Sequence, residues 1–180
     1  MKKMFILILI LVIMTTACGN KDKKSVELEK VDGGYLYKKS FGEFIVPENW
    51  IESDYSQQEK YVYAKEETDN EEEFNNFVIG YGKNNYSVEE HEQFRQAILQ
   101  QLSANLNEFD NATLNGEGTY TEQGDVLYIF KITEENGIVT TQYYIIGEKK
   151  HCMIQETNYD SSEECDEATK KAVNSFVWAD

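Results

Sequence analysis

Apolar residues fall along this chain in successive rhythms, and each rhythm predicts a different kind of element. Met4 to Met14 is an unbroken apolar run behind Lys2 and Lys3. A membrane-spanning helix needs about 20 apolar residues, so this run is too short to cross a bilayer comfortably. From Gly19 to about Asp32 the chain is polar and without period, the pattern of a tether. A strand rhythm follows Gly33-Gly34. Tyr35-Leu36-Tyr37 and Phe41 to Val46 predict paired strands, Pro47 ends the second for want of a ladder donor, and Trp50 returns into the core. Tyr61 to Ala64 and Asn75 to Tyr81 predict two more strands, joined by a hairpin loop, Glu66 to Glu73, too polar to bury. The spacing then lengthens to that of a helix. Ser87 and Glu90 make a capping box, and Phe94, Ile98, Leu102, Leu106 and Phe109 recur on one face.

After Asp110 the strand rhythm resumes. Thr113 to Thr121 predicts a weak strand carrying Gly116 and Gly118. Val126 to Thr133 predicts the strongest one, with Val126, Tyr128, Phe130 and Ile132 on one face and Leu127 and Ile129 on the other, which points to a central strand covered on both sides. Asn136-Gly137 is a hairpin turn into Ile138 to Ile146, and Cys152 to Thr157 completes a meander. Ser161 or Ser162 caps a final helix whose Cys165, Ala168, Ala172 and Phe176 share one side. The expectation is a single α+β domain over residues 34–180, an antiparallel sheet of about six or seven strands flanked by two main helices.

The start of the chain has the order of a secretory signal: a cationic end, an apolar middle and the small residues Thr15-Thr16-Ala17 before Cys18. It resembles the lipobox of bacterial lipoproteins, with Thr15 where Leu is usual. That resemblance implies a signal peptide over residues 1–17, lipid attachment (a diacylglyceryl group with palmitate-type chains) at Cys18, and a flexible tether to about residue 33. The domain would then sit lipid-anchored on the extracytoplasmic face of a cell membrane. The Lys, Asn, Ile and Tyr usage suits an AT-rich Gram-positive genome. The chain has 33 acidic and 17 basic residues, a net charge of −16, and loss of Lys2 and Lys3 leaves 33 minus 15, or −18. Such a surface argues against nucleic acid as a partner, because phosphate contacts need a basic patch.

Candidate chemistry is sparse. His91-Glu92 begins like a zincin motif, but Arg95 stands where the second histidine is required, so His91 and His151 both read as surface residues. No Gly-x-Ser-x-Gly elbow occurs, and Gly116-Glu117-Gly118 lacks the third glycine of a nucleotide cradle, which leaves a bulged or bent edge strand. No cofactor is expected. Asp69, Glu71, Glu72 and Glu73 are a candidate weak cation site in the acidic loop, against the alternative of a solvated turn. Cys152 and Cys165 are either a disulfide or two buried thiols, since a strand and the helix returning over it can bring them within bridging distance.

Phe44-x-Val46-Pro47-x-Asn49-Trp50, followed by two strands, a long helix, a meander and a last helix, resembles the PsbP-like α/β/α sandwich from about Tyr35 to Trp178. Asn49 stands where that family more often has Gly. The family includes accessory subunits of membrane complexes and many exported lipoproteins, so the resemblance implies a non-catalytic binding or assembly module with an envelope protein as partner. The competing expectation is a solute- or cation-binding lipoprotein that uses the acidic loop or an aromatic sheet face.

Overall fold

The structure, a computed structural model, describes residues 28–57, 59–65, 73–106 and 111–179. Strands β1 (Glu29–Val31), β2 (Gly34–Lys39), β3 (Gly42–Val46), β4 (Trp50–Glu52), β5 (Lys60–Lys65) and β6 (Asn76–Lys83) come first. A 3-10 turn (Val88–Glu90) leads into helix α1 (His91–Leu106). Then come β7 (Thr113–Tyr120), β8 (Val126–Thr133), β9 (Val139–Gly147), β10 (Lys150–Asn158), helix α2 (Glu163–Ser175) and β11 (Val177–Trp178). The seven-stranded antiparallel sheet runs β4-β5-β6-β10-β9-β8-β7, and a second sheet runs β1-β2-β3-β11. The expected α+β class holds, with this smaller sheet as the addition.

Three layers result. The four-stranded sheet and α2 cover one face of the large sheet, burying Phe44, Val46, Cys165, Ala172 and Phe176 against Trp50, Tyr63, Phe77, Ile145 and Ile154. Helix α1 covers the other face, with Phe94 and Leu102 set on Tyr128, Phe130, Ile132, Tyr144 and Ile146. The capping box forms as expected, with the Ser87 amide donating to Glu90 at 2.9 Å. Ser162, rather than Ser161, caps α2 by accepting from the Cys165 amide. Lys39 of β2 reaches Glu52 of β4 at 2.7 Å and lies 3.8 Å from the Tyr61 ring centre, joining the two sheets through a half-buried cation.

Three expectations need correction. The tether was expected to reach residue 33, but Glu29–Val31 pairs with β2 through a turn in which Gly33 has φ +85°. Polar β1 has no apolar alternation to announce it. Val126–Thr133 is indeed covered on both faces, by the two cores respectively, yet it lies next to the edge; the middle of the sheet is β10. The third concerns Gly116 and Gly118. They do lie in an edge strand, but β7 pairs with β8 in unbroken register from Thr113 opposite Thr133 to Tyr120 opposite Val126, without a bulge. The two glycines instead make room for aromatic rings, since a Cβ at Gly116 would lie 2.9 Å from the Phe130 ring and one at Gly118 would lie 2.9 Å from the Tyr128 ring.

Gly34 is needed for a different reason. It has φ +152°, and a Cβ there would fall 2.0 Å from the Val46 carbonyl oxygen. Gly34→Ala is therefore expected to lower stability by about 1–3 kcal/mol in urea denaturation, as forced overpacking does. A neutral result would show that the β2–β3 hairpin adjusts at no cost.

Candidate functional site

Strand β7 is the feature that the packing leaves unfinished. It ends the large sheet, and among the described residues no strand pairs with its outer edge. The opposite edge, β4, has only three residues, whereas β7 has eight, exposed except at Leu114. Beside it, on the α1 side, lies a groove of about 340 Å³ lined by His91, Glu92, Arg95, Tyr120, Val126 and Tyr128 together with the β7 backbone from Gly116 to Thr119. Tyr120 is 68% exposed at the rim.

The polar wall of the groove comes from the first turns of α1. The Tyr128 hydroxyl donates to Glu92 Oε2 at 3.2 Å and lies 2.6 Å from His91 Nδ1. When that proton goes to Glu92, His91 satisfies the phenol oxygen with Nδ1–H, which leaves Nε2 as an acceptor. Arg95 binds Glu92 through Nε at 2.9 Å and Nη2 at 2.5 Å. The Arg95 guanidinium, with help from the Tyr128 hydroxyl, holds the Glu92 carboxyl down at about 2. Burial, reinforced by Glu92, pushes the Tyr128 phenol up to about 12. Near neutral pH the groove therefore presents a phenol, a carboxylate and a guanidinium. His91-Glu92 drew notice in the sequence as a failed metal motif. Its actual partner, Tyr128, is 37 residues away and had no local signal.

A second polar cluster is buried under α2. Cys152, Ile154, Glu156 and Asn158 alternate on the inner face of β10, and Glu156 is only 1% exposed. Burial and a hydrogen bond with Asp166 push the Glu156 carboxyl up to about 8. The Asn158 amide donates to Asp166 Oδ1 at 3.0 Å and to Glu156 Oε1 at 3.4 Å. Asp166 is held below its ordinary range, chiefly by accepting from Glu156. The strand alternation places Glu156 inward, a signal that the sequence reading passed over.

The remaining candidate residues are dispersed. Cys152 and Cys165 both lie in the core between the sheets, as free thiols without a bridge, so of the two readings the structure carries the buried thiols. Burial pushes both thiols far up, which makes them inert. Cys18, Asp69, Glu71 and Glu72 lie outside the described residues, while Glu73 is exposed. Among the described residues no group of three or more His, Cys, Asp or Glu is placed to hold a metal ion. His151 is not the surface residue it was expected to be. Its ring packs 5.1 Å from Phe94 and 5.7 Å from Tyr144, and burial lowers it to about 4. Nor is His91 on the open surface, being half-buried against Tyr128. Among the described residues no helix is long and apolar enough to cross a membrane.

No family profile matches the chain, and no curated protein matches it. Among solved structures, it is similar to the solution structure of cyanobacterial PsbP (CyanoP) from Synechocystis sp. PCC 6803, at 13% identity and a TM-score of 0.52 over 91% of this chain and 98% of that one. The fold is PsbP-like. A crystal structure from Bacteroides thetaiotaomicron VPI-5482 also matches, at 13% identity and a TM-score of 0.47 over 82% of this chain. The chain spans about half of that protein, 49% of its length. At such identities the PsbP-like likeness concerns architecture, and the groove beside β7 belongs to this chain's own residues.

Proposed function

We propose that this chain is a lipid-anchored, non-catalytic docking module on the extracytoplasmic face of the membrane, and that it contacts an envelope protein through β7 and the adjoining groove. One observation carries this reading: an edge strand of eight residues, with no proline and one charged residue, Glu117, whose outer edge no other strand pairs among the described residues. Folded proteins usually shorten, cover or charge such edges, because the unpaired amides and carbonyls recruit another strand. The other edge of the same sheet is short, so the contrast lies within one molecule. Lipidation at Cys18 would hold this edge near the bilayer, where membrane proteins are within reach. The neighbour CyanoP supports the architecture of the module and nothing about its partner.

The test uses a photo-crosslinking residue in intact cells. Placed at Thr119, it is expected to trap one discrete protein, while the same residue at exposed Lys38 on the other sheet traps none. Replacing Cys18 by Ser is expected to release the chain from the membrane fraction and abolish the adduct. Equal labelling from both positions, or from neither, would remove β7 as the contact surface.

A further inference from the structure

Resting on that docking reading, we infer that β7 takes its partner by strand addition, and that the partner is an extended basic segment whose lysine or arginine side chain enters the groove beside β7. The argument begins with the pleat. Residues opposite one another in an antiparallel pair share a face, as Gly116 and Phe130, and Gly118 and Tyr128, already do on the α1 side. A strand added to the free edge would therefore direct its residues opposite Gly116 or Gly118 to that same side. There the Phe130 and Tyr128 rings fill the space directly over the glycines, and the open volume of about 340 Å³ beyond them, between β7 and the first turns of α1, accepts the incoming group. Its neighbours would be the Tyr128 and Tyr120 rings and the Glu92 carboxylate.

Charge selects the class of side chain. On the groove face Glu92 and Arg95 offset one another, and Glu117, on the opposite face of the same strand, adds a further carboxylate. The whole chain has a net charge of −16, so a basic segment is attracted and an acidic one repelled. Aromatic faces also favour a cation, and Arg95 already lies 5.9 Å from the Tyr128 ring centre. The alternate residues of the added strand would lie on the opposite face beside Glu117, where lysine is again the complementary choice. Main-chain bonding would supply affinity and the groove specificity.

Amide hydrogen exchange on the full-length chain, with two eight-residue probe peptides, tests this directly. A peptide of repeating Val-Val-Lys-Lys, which presents lysine on both faces of a strand, is expected to slow exchange within Thr113–Tyr120 and to bind at least tenfold more weakly when salt rises from about 50 to 300 mM. The valine–glutamate peptide is expected to give no protection. Glu117→Lys, an exposed change, should weaken the lysine peptide about tenfold while leaving the exchange pattern of the free protein unaltered. Equal binding of both peptides would overturn the charge assignment, and protection elsewhere than β7 would overturn strand addition. Protection of β7 that grows with protein concentration and needs no peptide would make the occupant a second copy and overturn the inference. A partner trapped at Thr119 in cells, with no peptide protection at β7, would sink strand addition and leave the docking reading standing. Peptide protection without a cellular adduct would do the reverse.

Discussion

Thermal stability is expected to hold nearly level from about pH 4.5 to 6.5 and then to fall by about 2 kcal/mol towards pH 8, and Glu156→Gln should abolish that fall. The sign follows from where protons are held. Glu156 is raised from 4.5 to about 8, so between those values the folded chain keeps a proton that the unfolded chain releases, and stability declines as pH rises. His151 acts oppositely. It is lowered from 6.5 to about 4, so between those values the unfolded chain binds the extra proton and stability climbs with pH. The two slopes offset one another up to about pH 6.5, and above it Glu156 carries the main remaining effect. Asp166, depressed below its ordinary 3.8, acts only in more acidic solution. A glutamine at position 156 keeps the geometry, since its amide can donate to Asp166 while its carbonyl accepts from Asn158, yet it has no proton to lose. Melting temperatures of both forms from pH 4.5 to 8 decide the matter. The variant should gain stability over the lower half of the range and stay level above it, whereas parallel curves would mean that Glu156 titrates normally.

The largest loss from a single side chain is expected at Phe77. Its ring is fully buried, stacks on Tyr63 at 5.1 Å and tilts against Trp50 at 5.4 Å, at the centre of the core between the two sheets. Phe77→Ala removes the buried area and leaves a cavity that rigid sheets on both sides cannot close. The expected cost is about 3–5 kcal/mol in urea denaturation, with Phe77→Leu costing clearly less. A loss below about 1 kcal/mol would mean that the smaller sheet does not pack on the larger one through this residue.

Much of the architecture was legible because period translates directly into burial. Val126 to Thr133 announced both of its faces, and Cys165, Ala168, Ala172 and Phe176 announced the inner side of α2, all four of them buried. The capping box at Ser87 was legible because its partners are three residues apart. Legibility failed where an element has no apolar alternation, as in β1, or where a residue's fate depends on distant chain. His151 reads as polar beside two lysines, yet two rings from α1 and β9 enclose it. The Gly116-Glu117-Gly118 segment signalled an irregular edge, but the strand is regular because the rings of Tyr128 and Phe130 occupy the space that the glycines leave.

Local order of residues alone determined the α+β class, most strand positions, both helices and the acidic surface, since each depends on neighbours within one turn or one pleat. Only the tertiary structure decided that β10 is central, that β7 ends the large sheet of the described residues, that His91, Glu92, Arg95 and Tyr128 converge, and that Glu156 meets Asp166 in the interior. Those outcomes depend on strand order and on which helix covers which face. They are set by how all the layers bury their apolar surface at once, and no short stretch of sequence carries that sum.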